Sequence, residues 1–417
     1  MNSKSIKLAA VAAGLAFAAT ACGASAKTNA APSTTASTTA SSSATGPALV
    51  GLAATTSKAA ELRAGLTYLL EEHVQLAGIA TGTALAKKGN LNDSAVKAAV
   101  GALDANSVAL SKAVGSAYPK AEAPFLASWR QHIGFFVNYT LGKATKNAAM
   151  TAKAVKDLDG YRLSFGQLIN SVVPELPASA VADELKPHVA SLFAAIDAQV
   201  AGSPSQFRLL QVAAGHMPGT AAILAGGIAT NLNLGKADTP AADLRASLTA
   251  LLTQHVYAAG IAINTAVAKG GNLKDPQVVG AVAALDDNSV ALSKAVGAAY
   301  PKAEAPFLAS WRQHIGFFVN YSLGKATKNT AMTAKAVTDL DGYRLSFGQL
   351  INSVVPELPA DAVANELKPH VASLFTAIDA VVAGSPTVFS KLQTAAGHMP
   401  GTAATLAGGI AQNLKVG

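Results

Sequence analysis

The sequence predicts an all-α protein made of two tandem antiparallel helical bundles, about six helices in each. Three observations carry that class. Apolar residues recur at helical spacing, no stretch alternates with period two for long, and one unit is written twice. Residues 58–234 and 240–416 correspond at a constant offset of 182 without a gap. Between Asn106 and Ala178 the copies differ only at Ser116/Ala298, Thr140/Ser322, Ala148/Thr330 and Lys156/Thr338. A period this long marks a duplicated domain rather than a solenoid, and each copy is long enough for its own core.

Residues 1–21 read as a lipoprotein signal peptide. Lys4 and Lys7 precede the apolar run Leu8 to Ala18, and Ala19-Thr20-Ala21-Cys22-Gly23 follows with small residues at the cleavage point. Cys22 is the only cysteine in the chain and stands where lipidation would occur, so no disulfide within one chain is expected. The resulting expectation is an extracytoplasmic protein anchored to a membrane through an N-terminal lipid. Residues 22–57 are rich in Ala, Ser and Thr and have few large apolar residues, which predicts a disordered tether with a reach of about 30 Å.

In copy 1 (58–234) helices are expected over about 58–88, 94–117, 120–145, 147–172, 178–201 and 204–232. Gly89-Asn90, Tyr118-Pro119, Val173-Pro174 and Gly202-Ser203-Pro204 punctuate them, with Asp93, Asn147 and Ser203 as N-caps. A linker, 235–239, leads to copy 2 (240–417). No further run is expected to be long and apolar enough to span a bilayer. The net charge of +8 comes from scattered lysines, without the basic and aromatic platform of a nucleic-acid binder; an envelope polymer or protein remains a candidate partner.

The chemistry of the chain is concentrated in its histidines. There are eight, four per copy: His73, His132, His188 and His216, then His255, His314, His370 and His398. Phe125, Trp129, His132, Phe136 and Tyr139 share one helix face, and His73 lies in a stripe with Leu62, Leu66, Leu69 and Leu76. His188 and His216 fall on apolar faces next to Pro187 and Pro218, while Asp157 and Tyr161 line up on the fourth helix. Imidazoles joined by a carboxylate or phenol suit an iron, copper or zinc ion, or a haem, held between helices. The candidate ligands are the eight histidines with Asp157 and Tyr139 in copy 1 and Asp339 and Tyr321 in copy 2. The alternative is that each histidine is a hydrogen-bonded core residue. No Gly-x-Ser-x-Gly elbow, phosphate loop or dinucleotide fingerprint is present, so no catalytic residue is assigned and the protein is read as non-enzymatic.

Leu69-Leu-Glu-Glu-His73-Val, Trp129-Arg-Gln-His-Ile-Gly-Phe-Phe-Val-Asn-Tyr-Thr140, Asp157-Leu-Asp-Gly-Tyr-Arg162 and Ala214-Gly-His-Met-Pro-Gly-Thr220 resemble an uncharacterised family of exported bacterial helical domains. Some of its members are labelled copper amine oxidase, after an N-terminal-like domain of that enzyme. The resemblance implies export and helical structure. That enzyme's activity needs Asn-Tyr-Asp/Glu and a His-x-His pair, whereas here Thr140 follows Asn138-Tyr139 and no His-x-His exists. The expected function is a surface-anchored, non-enzymatic lipoprotein holding a metal or haem. Two alternatives stand beside it: a cofactor-free envelope interaction or spacer protein, and a carrier of a small apolar ligand.

Overall fold

Helices start where the sequence supplies an oxygen to cap them and stop where proline or glycine intervenes. The computed structural model describes residues 50–416, and every regular element among them is helical. Copy 1 contains α1 (Val50–Thr55), α2 (Lys58–Ala86), α3 (Ser94–Ala117), α4 (Glu122–Ala144), α5 (Ala148–Val172), α6 (Ala178–Val200), α7 (Gln206–Ala214) and α8 (Met217–Asn231). Copy 2 contains α9 (Pro240–Ala268), α10 (Pro276–Ala299), α11 (Glu304–Ala326), α12 (Thr330–Val354), α13 (Ala360–Val382), α14 (Val388–Ala396) and α15 (Met399–Asn413). The leader, Cys22 and most of the tether lie outside the described residues.

Asp93 and Asn147 cap α3 and α5 as expected, and Ser57 caps α2. Ser203 does not cap a helix; its hydroxyl accepts from Ser205 N–H, ahead of the start of α7. The sixth expected helix is two. Pro218, at the second position of α8, has no N–H to give and its ring would crowd the carbonyl of Ala214, so α7 ends there. Pro187, by contrast, sits inside a continuous α6. The end of the expected tether also differs, because residues 50–55 form α1, which packs mainly on α15. At the repeat offset Val50 and Leu52 match Leu232 and Leu234, so the duplicated apolar pattern begins upstream of residue 58.

The first long helix of each copy, α2 or α9, is the axis of the molecule. α2 is flanked by α3, α8 and α9, and all of Leu70–Gly78 is buried, leaving no solvent face over that stretch. α2 and α9 pack on each other through a local two-fold relation. Arg63 donates to the carbonyl of Ala237 at 2.8 Å, and its equivalent, Arg245, donates to that of Thr55 at 2.6 Å. Similarly α7 meets α10 while α14 meets α3. Apolar contacts cross this junction, for Leu76, Ala99 and Leu103 belong to the same core cluster as Leu252, Trp311 and Leu392. The described residues therefore form one compact unit.

By length and composition α9, and α7–α8 taken together, could cross a membrane, contrary to the expectation of no such run. In the fold 78% of the apolar window of α9 is buried inside the protein, which accounts for its composition, and α7–α8 is broken at Gly215-His216 with half its window buried.

Close approach of α5 to α6 depends on Gly166, where an added Cβ would lie 2.2 Å from the carbonyl oxygen of Ala178; Gly348 has the same relation to Ala360 at 2.1 Å. Gly166→Ala and Gly348→Ala should each cost about 1–3 kcal/mol, because a backbone oxygen cannot rotate away. Thermal melts giving two unequal losses, or none, would show that the copies do not share this packing.

Candidate functional site

Four helices of copy 1 bring aromatic and imidazole rings to one point. α2 contributes His73, α4 contributes Trp129, His132 and Phe136 from one face, α5 contributes Tyr161 and Phe165, and α6 contributes His188. His73 and His132 face each other with Nε2 atoms 3.2 Å apart and ring centroids 5.2 Å apart. Trp129 packs edge-on against both at 4.9 and 4.6 Å, and Tyr161 stacks on His132 at 5.0 Å. Copy 2 repeats this with His255, His314, Trp311 and Tyr343, its Nε2 atoms 3.3 Å apart.

All three imidazoles of the cluster are buried and held neutral. Burial is the main reason the His73 pKa falls to about 3 and that of His188 to about 4, and burial followed by the nearby His73 and His188 pushes His132 well below the usual range. In copy 2 the Trp311 indole N–H donates to His255 Nδ1 at 3.4 Å, which places the His255 proton on Nε2, toward His314. His370 Nδ1 lies 3.4 Å from the Ala395 carbonyl, so it carries the proton and leaves a lone pair on Nε2. In copy 1 Trp129 Nε1 and the Nδ1 atoms of His73, His132 and His188 have no partner of hydrogen-bonding geometry.

A cavity of about 20 Å³ in copy 2 is lined by His255, His314, His370, Tyr343, Met399 and Thr402. That is room for about one water or one bare ion. It is far from the several hundred cubic ångströms that a large organic cofactor needs, so a haem does not fit beside these histidines as they are packed.

Only part of the predicted ligand set meets here. His216 and His398 are half-buried at the breaks before α8 and α15, and His216 is the last of three influences on His188. Tyr139 leaves the cluster to donate to Asp197 at 2.9 Å while stacking on Phe193 at 4.1 Å; Tyr321 does the same with Asp379 and Phe375. Asp157, half-buried, turns to pair with Lys153 at 2.7 Å on α5, as Asp339 does with Lys335. Among the described residues no three His, Cys, Asp or Glu side chains stand close enough to hold a metal ion together. Tyr161 and Tyr343, rather than Tyr139 and Tyr321, are the phenols at the cluster; the alignment of Tyr161 with Ala154 was the signal available. Met399, in the wall of the copy 2 cavity, gave none.

Two further polar features lie at the junction of the copies. Glu72 is buried and accepts from Tyr68, Tyr257 and Asn106 at 2.8, 2.8 and 2.9 Å, while neighbouring Glu71 is raised by burial to about 8. An open cleft of about 870 Å³ runs between the C-terminal parts of α2 and α9, past Ile79, Ile261, Phe207 and Phe389, and is of a size to admit a small organic ligand. Comparison with protein-family models, with curated proteins and with solved structures finds no match to this chain.

Proposed function

We propose that the protein is a non-enzymatic, extracytoplasmic lipoprotein that holds one transition-metal ion in each copy, between His73 and His132 and between His255 and His314. The observation that carries this reading is the spacing of the paired nitrogens, 3.2 and 3.3 Å. Two metal–nitrogen bonds of about 2.0–2.1 Å meeting at a tetrahedral angle require about 3.3 Å between their nitrogens. As packed, His188 and His370 stand too far from the pairs to share the ion with them, so the two paired imidazoles are its nitrogen donors; His370 lies in the wall of the copy 2 cavity with its Nδ1 bound to the backbone. Membrane attachment through Cys22 stands with this proposal on the sequence of the leader alone.

Full-length protein purified without a histidine tag should contain two equivalents of metal per chain by elemental analysis. His132→Ala and His314→Ala should each remove one equivalent while the helical circular-dichroism signal survives. Protein devoid of stoichiometric metal, and unable to take it up, would falsify the proposal.

A cofactor-free role has one observation in its favour, the Trp311 N–H directed at His255 Nδ1. That contact satisfies the pair as neutral rings, and ligation by both Nε2 atoms would need the proton to move to Nδ1. Under this reading His132→Ala changes stability alone, by about 1–3 kcal/mol.

A further inference from the structure

We infer that the ion these clusters take is monovalent and soft, copper(I), held by imidazole and thioether. This rests on the metal-holding reading above and narrows it. Every donor at the cavity of copy 2 is uncharged. His255, His314 and His370 are joined by Met399, which is 2% exposed, and by Thr402 and Tyr343. No carboxylate lines the cavity; Asp339 is paired with Lys335, and Asp379 with Lys325 and Tyr321.

Size and charge point the same way. A cavity of about 20 Å³ cannot hold an ion together with its waters, so the ion must arrive stripped. The cost of burying an ion rises with the square of its charge, so a bare divalent cation among neutral ligands is penalised about four times as heavily as a monovalent one. Zinc(II), iron(II) and manganese(II) meet that penalty elsewhere with carboxylate, thiolate or retained water. Copper(I) needs none of these, binds imidazole, and is selected by a thioether. Met217 stands at the equivalent position of copy 1, also 2% exposed, so the same test applies to both copies.

The full chain should be titrated anaerobically with copper(I) in competition with bicinchoninate, and in parallel with zinc(II) against a chelator of known affinity. The expected result is two copper(I) ions per chain, bound at least 100-fold more tightly than zinc(II), with silver(I) as a redox-silent competitor. Met217→Leu and Met399→Leu should each weaken one copper(I) site at least ten-fold with an unchanged thermal melt. His132→Gln and His314→Gln should each abolish one site. If zinc(II) binds the same histidine-dependent sites as tightly as copper(I), the inference fails while metal holding stands. Unaltered copper(I) affinity in the methionine variants also defeats it. If neither ion binds at two per chain, the metal-holding proposal itself falls. Should the glutamine variants not fold, the selectivity ratio and the methionine variants still decide the matter.

Discussion

Between pH 7 and pH 5 the protein should lose most of its stability, taking up several protons as it unfolds. His73, His132 and His188, with His255, His314 and His370, are buried and have pKa values pushed below the usual range chiefly by burial, to about 3 for His73 and His255 and about 4 for His188 and His370. In the unfolded chain the same rings titrate near 6.5. Below that pH the unfolded state therefore binds more protons than the folded one, and stability falls as pH falls until the folded rings themselves titrate. Each ring contributes a slope of up to about 1.4 kcal/mol per pH unit, so six rings at pH 5 approach the whole stability of an ordinary domain, about 5–15 kcal/mol. Glu71 acts in the opposite sense. Its pKa is raised by burial to about 8, so it favours the folded state in acid and loses that advantage as pH rises through 8. One such group cannot offset six. Urea denaturation at a series of pH values, followed by the fluorescence of Trp129 and Trp311, should show a maximum near neutrality and a steep acid limb. A midpoint that does not move between pH 7 and 5 would mean that the rings are not buried as neutral groups. Glu71→Gln should steepen the acid limb by up to about 1.4 kcal/mol per pH unit and flatten the decline between neutrality and pH 8.

The second large effect is expected at Glu72. Its carboxylate, 3% exposed, collects hydrogen bonds from Tyr68 and Asn106 in its own copy and from Tyr257 in the other. Tyr257 is wholly buried, and its phenol is pushed up by burial and then by Glu72. Glu72→Ala strands these donors in the middle of the molecule and should cost about 3–5 kcal/mol in urea unfolding. Glu72→Gln should cost less than half as much, because Gln254 occupies the equivalent place in copy 2 and still accepts from Asn288 at 2.9 Å. A Glu72→Ala protein within about 1 kcal/mol of the parent would show that the carboxylate is not what these donors rely on.

The helices were legible because periodicity and punctuation are local. Asp93 and Asn147 cap as the sequence indicates; of the two helices beyond the expected six, one is α1 and the other comes from Pro218, whose effect depends on whether neighbours support a broken turn. The site was legible only in direction. A helical wheel gives the face a residue occupies but not which neighbour stands at that height. His132 and Tyr139 share a face of α4, yet seven residues separate them by about 10 Å along the axis, enough to take Tyr139 past the imidazoles to Asp197. The Glu71–Glu72 network was hidden for another reason. A helix enclosed on all sides has no outer face, so charged residues within it look like solvent-facing ones.

The reciprocal clasp of Arg63 on Ala237 and Arg245 on Thr55 has a bearing on ancestry. An interface in which each partner offers the other the same residues is the signature of a symmetric homodimer. The simplest history is that a single-copy protein paired with itself before its gene was duplicated and the two subunits were joined through residues 235–239. Before fusion any substitution at the seam had to appear on both sides at once, facing its own image. Afterwards Glu71-Glu72 and Thr253-Gln254, and Gln75 and Tyr257, could diverge independently. The seam thus carries changes of chemical character, whereas the cluster residues His73, Trp129, His132, Tyr161 and His188 are unchanged in copy 2, even though His73 directly follows Glu72.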